Sequence, residues 1–179
     1  MMKEKEDLEN KKIILVNEND EQIGVEEKMK THRDGLLHRC FSILVFNSKE
    51  ELLLQKRADG KYHCGGLWTN SCCGHPEPNE EINEAAHRRL QEEMGFDCGL
   101  KEKFVFHYRA EFDNGLIENE IDHVFVGKYD KEVVPNAKEV GDFKFMGLED
   151  IKKDIIINPN IYTPWFKIII TEHWGRTDH

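Results

Sequence analysis

Two adjacent cysteines, Cys72 and Cys73, are followed at once by Gly74, His75 and Pro76 and then by an acidic run, in the stretch LWTNSCCGHPEPNEE. A thiol beside a histidine suits a nucleophile, a metal ligand, a disulfide partner or a proton carrier, and it also suits plain packing. Adjacent residues on a strand point to opposite faces, so the two thiols serve different purposes. Further along, LIENEI places Glu118 and Glu120 two residues apart. On a strand that puts both carboxylates on one face, ~7 Å apart, a pattern for metal coordination or acid–base work. A solvated edge carrying ENE would look the same. Ile117, Ile121 and Phe125 mark the other face as apolar. THRDGLLHRC adds His32 and His38. Each histidine alone equally suits a hydrogen-bonded surface position. Together with His75, Glu118 and Glu120 they would suit a borderline divalent metal such as Mn, Mg or Zn, provided the fold gathers the segments.

The chain that must position these groups has 179 residues, enough for one domain with a proper core. It is 39% apolar and 34% charged, ordinary for a soluble globular protein. Its formal net charge of -10 argues against nucleic acid or an anionic membrane as the main partner, since either needs a broad basic surface. A small anionic substrate held by a local basic cluster stays compatible, and Lys28, Arg57, Lys61 and Arg89 lie near the same segments. No apolar run reaches membrane-spanning length, and the opening MMKEKEDLENKK lacks a signal-peptide core, so a cytoplasmic location is expected. Thiols stay reduced there, and five cysteines with no C-x-x-C suggest neither a disulfide framework nor a zinc ribbon.

Residues 1–10 read as a charged flexible tail and 11–179 as a single domain. KIILVNENDEQIG predicts a hairpin turning at Asn19-Asp20, and HRCFSILVFNSKEELLLQKR two strands joined near Asn47-Ser48. LWTNSCC predicts one short strand. The clearest helix is predicted from Asn79, as cap, to Met94, with Glu80 and Glu81 at its positive end and Gly95 at its stop. FVFHYRAEF and LIENEIDHVFVGKY form a hairpin across DNG, followed by a strand at DFKFMG, a brief helix from Leu148 and a helix opened by Thr163-Pro164. Hairpins with few helices predict an α/β sandwich with a mixed sheet. On the Asn79–Met94 helix, Ile82, Ala85, Ala86 and Leu90 define an apolar stripe, yet Arg89 and Glu93 fall near its centre. They either pair with each other across one turn or face a site holding a cation or a phosphate.

GHPEPNEEINEAAHRRLQEEMGF, residues 74–96, resembles the Nudix box, with Gly74, Glu80, Arg88, Leu90, Glu92, Glu93, Gly95 and Phe96 in register. Arg89 stands where the box has the first glutamate of its cluster. Taken with WTNSCCGHP, YRAEFDNGLIENEIDHVF and TPW, the chain resembles type I isopentenyl-diphosphate isomerases from about Lys28 to Trp165. The resemblance implies a Nudix fold, a mixed β-sheet sandwiched between helices. It implies a Mn, Mg or Zn ion held by His32, His38, His75, Glu118 and Glu120. A second ion, Mg brought with the substrate diphosphate, would meet Glu93, while Lys28, Arg57, Lys61 and Arg89 hold the diphosphate. Isopentenyl diphosphate would be the small-molecule substrate of a monomer or small homo-oligomer, converted to dimethylallyl diphosphate through a tertiary carbocation. Cys73 would move a proton on one face of the substrate, Glu120 with Tyr108 on the other. Trp165 would offer its π face to the cation, worth about 2 kcal/mol or more once water is excluded. Alternatives remain a Nudix hydrolase, which gives no role to Cys73 or Trp165, and a structural zinc clip from Cys64, Cys72, Cys73 and His75. The clip is ranked last, since neighbours on an extended strand cannot easily share one metal.

Overall fold

The structure, a computed structural model, describes residues 11–175; the expected tail at 1–10 lies outside the described residues. Among them, nine strands form one mixed sheet: β1 (Lys12–Val16), β2 (Gln22–Glu27), β3 (His38–Phe46), β4 (Glu51–Arg57), β5 (Trp68–Thr69), β6 (Cys72–Gly74), β7 (Leu100–Glu111), β8 (Ile117–Lys128) and β9 (Val140–Gly147). The helices are α1 (Lys28–Asp34), α2 (Ile82–Met94), α3 (Leu148–Ile157) and α4 (Pro164–Ile168), the last running on into a π turn over Ile169–His173. The β3–β8 pair is parallel and the named strands otherwise pair antiparallel.

β3 is a nearly unbroken apolar run because both of its faces are covered. Phe41, Ile43 and Val45, with Leu53 of β4, pack against Ala85, Ala86, Leu90 and Met94 of α2. Leu44 and Phe46, with Leu52 and Leu54, pack against Ile151 and Ile155 of α3 and Phe166, Ile169 and Ile170 at the C-terminal end. Each such side chain contributes roughly 1.5–3 kcal/mol when fully buried. Helices on both faces make this the sandwich the sequence predicts.

Three local features depart from the sequence reading, two as corrected expectations and one as an element it did not foresee. α2 begins at Ile82 with Glu81 as cap, not at Asn79, which turns the chain with φ 67°. Glu80 serves the turn instead, accepting from the Glu77 N–H and from Arg88. LWTNSCC is two short strands: Asn70 and Ser71 leave the ladder so that their side chains bind strand carbonyls, Asn70 to Cys72 O and Ser71 to Leu53 O. The third is α1, which has no counterpart in the sequence reading. It holds only seven residues, too few for a helical period, and ends on Gly35 in the left-handed conformation.

Candidate active site

The site grows out of strand register. β3 is flanked by β8 on one side and by β6 on the other, with His38 opposite Glu120 and Ser42 opposite Cys73. β7 then brings Tyr108 opposite Glu120. Paired residues project to the same face, so His38, Cys40, Ser42, Cys73, Tyr108, Glu118 and Glu120 share one face. Cys72 projects the other way into the core under α2, as alternation requires. Cys73 and Glu120 sit on strands either side of β3, staggered by four residues along it, so both side chains stand over a floor made by β3. That floor opens into a cleft of about 610 Å³. All four predicted cations, Lys28, Arg57, Lys61 and Arg89, line it, as do Glu93 and Trp165.

His32, His38, His75, Glu118 and Glu120 each present a ligand atom within 4.8 Å of one another. Glu118 and Glu120 are almost wholly buried, so the solvated-edge alternative for ENE is overturned. His32 Nδ1 donates to Lys28 O at 2.6 Å, and His38 Nδ1 donates to Leu36 O at 2.8 Å. A carbonyl only accepts, so each Nε2 is left to face the carboxylates. His32 Nε2 lies 3.1 Å from Glu118 Oε2, and neither atom makes a well-directed hydrogen bond. His38 Nε2 lies 3.2 Å from Glu120 Oε1, and His75 Nε2 lies 2.8 Å from the same oxygen. Burial pushes the His38 ring down, but Glu118 and Glu120 outweigh it and raise it to about 9. Burial and the neighbouring Lys28 hold His75 neutral, at about 3. Burial and Glu118 push Glu120 up, yet His38 and His75 hold it at about 2. A divalent metal would take the place of the His38 proton and match the carboxylates, and this set of imidazole nitrogens and carboxylates fits one. The cysteines are free and stand outside this cluster, which removes the zinc clip.

Glu93 is placed differently. It emerges from α2 onto the cleft, binds Arg89 Nη2 and accepts from Gln55 Nε2 at 2.9 Å. The misplaced charges of the helix therefore satisfy both alternatives: Arg89 pairs with Glu93 one turn on, and both face the cleft. Gly74 makes this approach possible, because a Cβ there would stand 3.0 Å from Phe41 Cζ and 3.2 Å from Arg89 Cγ. Arg57 lies deeper, its Nη1 3.8 Å from Cys73 Sγ and its guanidinium 5.4 Å from the Trp165 ring centre. Burial pushes the Cys73 thiol up to about 12 against the pull of Arg57, so the resting group is a thiol rather than a thiolate. Tyr108 Oη donates to Glu120 Oε2, and Trp165 Nε1 donates to Asn70 Oδ1 at 3.2 Å.

Sequence reasoning missed three groups. His63, in the loop between β4 and β5, puts Nε2 against Glu118 Oε1, stacks on Phe112 at 4.9 Å and meets Trp165 edge-on at 5.8 Å. Asp122 continues the carboxylate row of β8 and accepts from Ser42 Oγ at 2.8 Å. Burial, then Glu120, raise its carboxyl to about 8. Glu139 reaches the cleft from the loop before β9. Of these, only Asp122 had a signal, its spacing of two from Glu120.

Residues 36–166 match the NUDIX domain family. Isopentenyl-diphosphate Delta-isomerase 2 of Photorhabdus laumondii is 52% identical over 171 residues, 92% of this chain and 97% of that one. Isopentenyl-diphosphate Delta-isomerase 1 of Aromatoleum aromaticum is 53% identical over 158 residues, 88% of this chain and 89% of that one. Among solved structures, DR0079 from Deinococcus radiodurans superposes with a TM-score of 0.73 at 16% identity, covering 89% of this chain and 97% of its own. At that identity the likeness speaks for the fold alone. With the sheet, the box and relatives of this identity over nearly their whole length, the chain belongs to the isopentenyl-diphosphate Delta-isomerase family of NUDIX-domain proteins.

Proposed function

We propose that the chain isomerises isopentenyl diphosphate to dimethylallyl diphosphate. The observation that carries this is that Cys73, Glu120 and Tyr108 stand on one sheet face beneath a cleft rimmed by cations, which supports a proton-handling role for them. The reaction adds a proton to the terminal alkene carbon and removes one from the carbon on the far side of the double bond. No bond to phosphorus changes. It needs a donor and an acceptor either side of a flat five-carbon chain.

Cys73 exchanges its proton at one carbon, with the Arg57 guanidinium beside it to stabilise the sulfur when the proton is off. Glu120, a carboxylate at rest, handles the proton at the other carbon, so that one of the pair takes a proton as the other gives one, with the Tyr108 hydroxyl fixing the second oxygen. General acid–base groups of this kind contribute roughly 10²–10⁴-fold each. The tertiary cation between the two steps meets the Trp165 ring, whose indole N–H is anchored on Asn70. Four cations nearby oppose that intermediate, and the substrate's diphosphate neutralises them when Lys28, Arg57, Lys61 and Arg89 grip it. His32, His38, His75, Glu118 and Glu120 would hold Mn, Mg or Zn, and Glu93 would meet a Mg ion carried by the diphosphate. Bound there, the metals supply positive charge that fixes the Glu120 carboxylate and offsets the phosphate oxygens.

The test is NMR of the purified protein with isopentenyl diphosphate and Mg in heavy water. Dimethylallyl diphosphate carrying deuterium on carbon, without phosphate release, is expected. Cys73→Ala should remove turnover while the thermal melt stays within a few degrees. A variant that kept full turnover would sink the role given to Cys73.

A further inference from the structure

Glu139 stands where a diphosphate would be expected. Its carboxylate accepts from Lys61 Nζ and lies 3.5 Å from Arg89 Nη2, whose other contact is Glu93. Glu139 thus bridges two cleft cations, Lys61 and Arg89, the latter also paired with Glu92 and Glu93 of its own helix. The placement is built from backbone on both sides. Asn136 N–H donates to Glu93 O at 2.8 Å, Glu139 N–H donates to Asn136 O at 2.9 Å, and Ala58 N–H donates to Glu139 O at 3.0 Å. The loop is therefore fastened both to α2 and to the segment that carries Lys61. Burial pushes the Glu139 carboxyl up, but Lys61 and Arg89 outweigh it and keep it ionised.

We propose that Glu139 is the internal counter-ion of the diphosphate cleft, holding Lys61 and Arg89 in position until the substrate's phosphates replace it. This rests on the assignment of Lys61 and Arg89 to the diphosphate. Lys61 and Arg89 reach the same Glu139 oxygen and would repel one another without it, so this tethered anion relieves that while keeping two long side chains oriented. A tethered carboxylate also competes at high effective concentration. A lone small anion loses that competition, whereas a diphosphate with several oxygens and charges spans both cations and wins. Glu139 thereby sets which anions the cleft accepts.

The experiment is calorimetric titration of inorganic pyrophosphate, without divalent cation, into the wild-type protein, Glu139→Gln and Glu139→Ala, each checked by thermal melt. Removing the competing charge is expected to tighten pyrophosphate about tenfold in both variants. The KM for isopentenyl diphosphate should fall alongside, with kcat changing less. A loop brace or a cation ligand at this position would instead leave affinity unchanged or weaken it, and either result overturns the proposal while sparing the diphosphate assignment. Absence of pyrophosphate binding by wild type and both variants would overturn the two together.

Discussion

In His32 and His38, Nδ1 is committed to a backbone carbonyl, so one nitrogen of each ring is all that can meet a carboxylate, too few to fix both oxygens of each. That leaves Glu118 and Glu120 to be oriented from elsewhere. Glu120 has Tyr108; Glu118 has His63, whose ring is wedged between Phe112 and Trp165 and whose nitrogens are buried without another partner. A side chain so enclosed can only act on what it touches, so His63 is a positioning residue for Glu118. Partners of this kind typically account for 10–100-fold in metal affinity. His63→Ala should weaken Mn binding by that order in an electron paramagnetic resonance titration. His63→Gln, which restores an N–H donor, should recover part of the loss. Equal affinities for wild type and His63→Ala would mean that the three candidate histidines orient Glu118 unaided.

Elements translate these side-chain demands into backbone geometry, and α2 shows how tightly. Its last turn ends at Gly95, φ 77°, where a Cβ would stand 2.1 Å from Val134 O in the loop that carries Glu139. Gly95→Ala must strain the left-handed cap and push that loop away, so a cost of about 3 kcal/mol or more is expected in urea unfolding. A loss under about 1 kcal/mol would show that the loop yields. Gly95 was legible as a helix stop, and so were the alternating strands and the stripe of α2, because burial repeats along each element at its own period. The start of α2 was not legible: Asn79 has the chemistry of a cap, but the turn at Glu77–Glu80 uses those residues first. Nor was α1, two turns long and fixed by tertiary packing of Thr31 and His32. The candidate metal residues were legible as ligand types, but His63 and Glu139 reach the cleft from loops whose paths no periodicity encodes.

At the scale of the whole molecule, the five clustered donors come from α1, β3, the segment after β6, and β8, spanning residues 32 to 120. Two buried carboxylates at its centre are costly unless matched, so this junction is weak without a cation and strong with one. No helix among the described residues is long and apolar enough to cross a membrane. A metal that binds only the folded chain stabilises it by about 2.7 kcal/mol at a hundred times its dissociation constant. For a chain of this length that corresponds to a rise of roughly 5–10 °C in Tm. Adding Mn to chelator-treated protein should produce such a rise, and excess chelator should reverse it. Glu118→Gln should shrink the shift, since the junction then lacks one anion for the metal to match. Identical melts for loaded and chelated wild type would mean that the cluster is satisfied by its own protons and that the four elements are held together by the core alone.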